Sequence, residues 1–271
     1  MKLFVFGLGY TAQRLARRLR SEGWRVAGTG GGEIAFEDEA AVRDAIAGAT
    51  HILSSVPPAE GRDPVLARYG DTLTCAWLGY LSSTGVYGDA RGAWVDESAP
   101  TGGGRRSARS EADAAWLARG ARVFRLPGIY GPGRSALDRV REGKAHRLGI
   151  AGQVFSRVHV DDIVSGVIAG FGGPPGAYNL ADDAPASQDD VAAFAARLIG
   201  MDPPPLVTLD DLSPAGRGFY AENRRVSNLK AKRMLGWTPR YTDYRAGLRS
   251  ISAMTSPISA RRAPKADSVD Q

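Results

Sequence analysis

The sequence predicts an α/β protein, a doubly wound parallel sheet followed by a smaller C-terminal lobe. Three observations predict it. Apolar runs of strand length recur at 3–6, 25–29, 50–56, 80–83 and 122–126. Amphipathic stretches of helix length separate most of them, and strands that alternate with helices pair in parallel. After residue 132 the alternation loosens, although 177–180 reads as one more short strand.

The opening stretch, MKLFVFGLGYTAQRL, organises the rest. Residues 3–6 are a continuous apolar run, as a strand buried on both faces requires. Gly7-Leu8-Gly9-Tyr10-Thr11-Ala12 turns the chain and a helix begins at once. Ala12, Leu15, Ala16 and Leu19 share one face, the arginines at 14, 17, 18 and 20 the other, and Gly23 closes the helix. Strand, glycine turn and helix give a G-x-G-x-x-A pattern its meaning. Backbone amides there approach a pyrophosphate, and the helix N-terminus adds partial positive charge. This is the Rossmann arrangement. It makes Gly7, Gly9, Tyr10, Thr11 and Ala12 candidate cofactor-binding residues.

Residues 25–29 are the second strand, and the GGGEIAF segment at 30–36 leaves room only for a very short third strand at 34–36. A helix is expected over 38–47, a strong strand over 50–56 stopped by Pro57-Pro58, and a helix over 63–77. A strand at 80–83 precedes a polar, Gly-rich loop (89–106), a helix at 108–118 and a strand at 122–126 ended by Pro127-Gly128. Beyond it, 135–143 reads as helix, 154–160 as extended, and 161–171 as helix. A serine-capped helix starts at 187, further helices cover 228–235 and 244–251, and 253–271 reads as a disordered tail. The expected organisation is a dinucleotide-binding core over 1–133 and a mixed region over 134–252. Within it, 154–181 returns to the core, while 134–153 and 185–252 form a substrate lobe.

Composition narrows the function classes. The chain has 271 residues, 43% hydrophobic and 24% charged, with net charge +6 and a sequence pI near 9.6. Arginines are scattered among acidic residues, with no basic stripe interleaved with aromatics, so no nucleic-acid partner is expected. No apolar run reaches membrane-span length and no signal peptide is read, so a cytoplasmic protein without a membrane partner is expected. A single cysteine, Cys75, allows no internal disulfide, and no metal site is predicted. The expected anionic partner is a phosphate-bearing cofactor or substrate.

Several separated stretches, in order, resemble the extended or atypical short-chain dehydrogenase/reductases of the NAD-dependent epimerase/dehydratase type. They are YLSSTGVYGD at 80–89, RLPGIYGP at 125–132, VHVDDI at 158–163, YNLAD at 178–182 and LGWTP at 235–239. The resemblance covers about residues 1–250. It implies a cofactor lying across the glycine turn, Thr29, Ser54, Ser55, and Pro127-Gly128-Ile129, which would touch the nicotinamide. Ser83 stands at the family's Ser/Thr position. A small-molecule substrate would lie between Ser83 and the C-terminal lobe, and a homodimer stays open.

The resemblance fails where the family places its proton donor. A Tyr and a Lys four residues on are expected, the ammonium lowering the phenol pKa. Here Ala108 and Ala112 occupy those positions. Tyr87, Tyr130 and Arg109 are the substitutes to be considered, the first two as proton donors and Arg109 as a fixed charge on a developing oxyanion. His159 is given no catalytic role. Strand two ends in Gly28-Thr29-Gly30-Gly31 with no carboxylate for a ribose 2′-OH, which favours NADP over NAD. Two readings follow: an NAD(P)-dependent oxidoreductase or epimerase-like enzyme on a small polar, sugar-like substrate, or an NAD(P)-binding scaffold or sensor without turnover.

Overall fold

A computed structural model describes residues 1–104 and 107–255. In chain order the elements are β1 (Lys2–Phe6), α1 (Tyr10–Ser21), β2 (Arg25–Gly28), α2 (Glu39–Ala47), β3 (His51–Ser54), α3 (Pro64–Tyr69), β4 (Trp77–Ser83), β5 (Trp94–Val95), α4 (Ser107–Ala118) and β6 (Arg122–Leu126). Then follow β7 (Gly128–Tyr130), α5 (Ala136–Arg141), β8 (Arg157–His159), α6 (Val160–Ala169), β9 (Gly176–Asn179), α7 (Gln188–Leu198), α8 (Pro214–Tyr220), β10 (Arg225–Val226), α9 (Leu229–Leu235) and α10 (Tyr244–Thr255).

Six strands form one sheet in the order β2-β1-β3-β4-β6-β9, every pair parallel. The strand direction of the connections reverses between β1 and β3, so the crevice at the carboxyl ends opens there. Alternation along β1 divides the core. Leu3 and Val5 pack with Leu15, Leu19, Ile163 and Val167 beneath α1 and α6. Phe4 and Phe6 pack with Val42, Val65, Tyr69 and Trp116 beneath α2, α3 and α4. Each wholly buried Leu contributes about 2 kcal/mol of transfer free energy. A third apolar cluster joins Tyr130, Leu137, Phe194, Tyr244 and Leu248 from β7, α5, α7 and α10.

Several elements differ from their sequence expectation, each for a local reason. No third strand forms at 34–36; Ile34 makes a single parallel bridge to Thr29. Gly30, Gly31 and Gly32 all have positive φ and fold the chain straight back, so β2 remains the sheet edge. The helix expected over 63–77 ends at Tyr69 with one 3₁₀ turn over Gly70–Thr72. Trp77 belongs to β4, where its partner is His51. The two-residue pair β5–β10 and the short pair β7–β8 are too brief to leave a periodic signal. Two glycines inside α8 hide it from propensity. The tail expected from 253 overlaps α10, which runs to Thr255; 256–271 lie outside the described residues. Among the described residues no helix is long and apolar enough to cross a membrane.

Candidate functional site

A cleft of about 1310 Å³ runs along the carboxyl ends of the sheet, from Gly9, Tyr10 and Thr11 past Ser55, Ser83, Thr84 and Gly85 to Pro127–Tyr130, and on to Arg157, Tyr220 and Tyr244. Its first end is made of backbone. Gly7 has φ +83°, and a Cβ there would stand 3.0 Å from Val56 Cγ2. Its N–H donates to Thr29 Oγ1 at 2.9 Å, and the Leu8 N–H donates to the Thr29 carbonyl. Ser55 Oγ donates to the Gly7 carbonyl. These bonds fix the turn so that Gly9 forms the N-cap of α1 with no side-chain acceptor over the helix end. The first amides of α1 have no intrahelical acceptor and carry the positive end of the helix dipole. A Cβ built on Gly9 meets nothing within 4 Å. A dinucleotide pyrophosphate fits this cradle: unshared donors, no side chain in the way, and open space above.

The expected cofactor contacts separate into two groups. Gly9, Tyr10, Thr11, Ser55, Pro127, Gly128 and Ile129 line the cleft. Gly7, Ala12, Thr29 and Ser54 lie behind that wall. Ala12, Thr29 and Ser54 are buried, Thr29 is engaged with Gly7 and Leu8, and the Ser54 hydroxyl accepts from the Val56 N–H. These four are not among the residues that line the cleft.

The candidates for chemistry separate likewise. Ser83 and Arg109 line the cleft. The Ser83 hydroxyl accepts the Gly85 N–H at 3.1 Å, which leaves its own proton free to donate. Arg109 donates to the Tyr80 hydroxyl at 2.9 Å, and burial pushes that phenol up to about 12. Tyr87, in contrast, is turned away from the cleft. Its hydroxyl donates to Asn179 Oδ1 at 2.8 Å and accepts from Arg125 at 3.0 Å. Arg125 in turn forks onto Asp113 at 2.7 and 3.1 Å, and Ser82 completes that carboxylate's shell. Burial raises the Tyr87 pKa, and both hydrogen bonds of this phenol are made within a buried network. Tyr130 lines the cleft, but its oxygen lies among Asp243 and Gly247 of the C-terminal segment. Burial and neighbouring carboxylates push its pKa far above the normal phenol value, opposite to what a base needs. Ala112, at the lysine position, packs against the core.

Sequence reasoning did not single out Arg157 or Asp182. Arg157 is buried on the lobe side of the cleft and donates to the Phe155 and Ala186 carbonyls and to Gln188 Oε1. Asp182 is 2% exposed, and among the described residues neither of its carboxylate oxygens has a hydrogen-bond partner. Burial pushes it up to about 8 against the attraction of Arg157. The YNLAD motif marked the position, but no local pattern reports a missing partner. His159 is buried, its Nδ1 accepts the Asp161 N–H, and burial lowers it to about 4, so its ring is neutral. Among the described residues no group of three His, Cys, Asp or Glu side chains is placed to hold a metal ion.

The fold is shared with solved proteins described as epimerases and dehydratases. A human epimerase family protein solved with NADPH is 17% identical and superposes with a TM-score of 0.72, over 93% of this chain and 99% of that one. A Thermotoga maritima UDP-glucose 4-epimerase solved with UDP-glucose is 15% identical, with a TM-score of 0.73 over 94% and 100%. No family model matches the chain.

The chain belongs to one family with a conserved protein of Silicibacter pomeroyi DSS whose function is unknown. The two are 42% identical, with a TM-score of 0.84 over 93% of this chain and 98% of that one. Protein YeeZ of Escherichia coli K12 is 26% identical over 277 residues, 89% of this chain and 97% of that protein.

Proposed function

We propose that this chain is an NAD(P)-dependent oxidoreductase or epimerase-like enzyme for a small polar, sugar-like substrate, with NADP preferred. The observation that carries this reading is the continuity of one cleft from the amides of α1 to the C-terminal lobe, past Ser83 and Pro127–Ile129. A nicotinamide ring held there would supply hydride transfer. Pro127 fixes its own φ, and Gly128 permits close approach of a flat ring. The Ser83 hydroxyl hydrogen-bonds and orients a substrate oxygen, and Arg109, held by Tyr80, places positive charge beside an oxygen that becomes negative.

The NADP preference rests on the tip of β2, Gly28-Thr29-Gly30-Gly31, which carries no carboxylate of its own. The Glu33 carboxylate accepts from the Gly28 N–H at 3.1 Å and from Arg20 at 2.6 Å, so its charge is offset by the guanidinium. Solved neighbours carry NADPH in one case and NAD in others.

The second reading, an NAD(P)-binding scaffold without turnover, is favoured by Ala108 and Ala112, since neither side chain can exchange a proton. Fluorescence titration with NADPH and NADH, followed by cofactor oxidation across a panel of carbonyl compounds, separates the two. The enzyme reading expects tighter NADPH binding and turnover that falls about 10- to 100-fold in Ser83→Ala. Binding without turnover on any carbonyl supports the scaffold, and no binding of either nucleotide removes both.

A further inference from the structure

We propose that Arg134 holds the pyrophosphate of the bound dinucleotide and thereby ties the C-terminal lobe to the cofactor; this rests on the NAD(P)-binding reading above. The Gly131–Arg134 turn lies directly after β7. It is closed by two backbone hydrogen bonds, Gly131 N–H to the Arg134 carbonyl at 3.2 Å and Arg134 N–H to the Gly131 carbonyl at 3.0 Å. Gly133 takes the left-handed conformation, φ +74°, that so tight a turn needs. Ser135 and Asp138 then form a capping box that fixes the exit into α5.

This turn is docked on the first residue of α1. The Tyr10 hydroxyl donates to the Pro132 carbonyl at 3.1 Å. A Cβ on Gly131 would stand 2.5 Å from the Tyr10 oxygen and 2.6 Å from Val160 Cγ1, so only glycine allows the approach. The Arg134 guanidinium carbon lies 5.8 Å from the centre of the Tyr10 ring. It lines the same cleft as Gly9, Tyr10 and Thr11.

Charge completes the inference. Arg14, on the other contact with Tyr10, is spent on Asp161 at 3.1 Å. Arg134 is exposed, and among the described residues no carboxylate forms an ion pair with it. A helix N-terminus offers about half a positive charge, less than a pyrophosphate carries. A guanidinium beside Tyr10 supplies a full charge and forked donors that match phosphate oxygens.

The test compares wild type, Arg134→Gln and Arg134→Lys, with NADPH, ADP-ribose and adenosine as probes. Arg134→Gln should weaken NADPH and ADP-ribose about tenfold, flatten the salt dependence of both, and leave adenosine, which has no phosphate, unchanged. Arg134→Lys should recover part of the loss. Unchanged NADPH and ADP-ribose affinities in Arg134→Gln would overturn the proposal, as would an equal loss for adenosine, which would indicate a misplaced turn. Wild-type protein that binds neither NADPH nor ADP-ribose would instead remove the nucleotide reading itself.

Discussion

The two sides of the cleft reach their state by opposite means. On the side of β1 and α1, the candidate binding groups are backbone amides held by hydrogen bonds to Thr29 and Ser55. On the side of α4, the expected function would need a phenol and an ammonium, and the chain carries Ala108 and Ala112. Helix α4 has not lost its structural work. Asp113, one residue on, takes two hydrogen bonds from Arg125 of β6 and one from Ser82 of β4. A site made of backbone tolerates sequence change as long as the turn survives. A site made of side chains can vanish while its helix stays in place.

That contrast can be broken at several points. The largest effect is expected at Asp113→Leu, which leaves the Arg125 guanidinium buried without a counter-charge. Losing one partner of such a pair costs about 3–5 kcal/mol, visible as a fall in denaturant midpoint. An unchanged midpoint would mean that α4 is not held by this pair.

Gly9→Val should come next and act differently. The site has φ −84° and no neighbour within 4 Å of a Cβ, so stability should hold. NADPH affinity should drop at least about 100-fold, roughly 2.8 kcal/mol, because the side chain fills the space above the amides. Calorimetric titration measures the loss. Affinity equal to wild type would show that the turn only packs a helix on a sheet.

Asp182 predicts a pH dependence. Its folded pKa, about 8, lies above its unfolded value. The unfolded chain therefore releases this proton first, and stability declines as pH rises from about 4 toward 8. His159 acts in the opposite sense. Its folded pKa near 4 lies below the unfolded value, so its contribution is present above about pH 6.5 and is lost as pH falls toward 4. Asp182→Asn should remove the decline between about pH 6.5 and 8 and steepen the rise between about 4 and 6.5, where the two groups oppose each other, as followed by urea unfolding across pH. A decline that persists in Asp182→Asn would assign it to another group. The smallest effect is expected for Tyr87→Phe, about 1 kcal/mol of stability from two lost hydrogen bonds, with cofactor affinity unchanged. A large loss of turnover in that variant would return Tyr87 to the chemistry.

The sheet and the glycine cradle were legible because they rest on local patterns. Apolar runs gave the sheet strands apart from the short piece at 34–36, and the turn at residues 7–12 announced itself by spacing. The segment from 63 to 77 misled because the expected helix was carried through Gly70-Asp71-Thr72, poor helix formers at which α3 ends, while the pairing of Trp77 with His51 comes from a strand far away in sequence. Tyr87 and Tyr130 were equally plausible donors as letters. Only their partners, Asn179 and Arg125 for one and the Asp243 carbonyl for the other, separate them.

The sequence by itself determined the parallel sheet, the turn that leaves amides free at the start of α1, and the absence of a Tyr/Lys pair. Each of these is a matter of residue type and near-neighbour spacing. The tertiary structure alone decided that Thr29 is spent on Gly7, that Tyr87 is buried in a network, that Asp182 is buried beside Arg157 and that Arg134 arrives beside Tyr10. Burial and hydrogen bonding between groups more than a hundred residues apart, as from Tyr10 to Pro132, depend on how elements pack, and no local pattern encodes that.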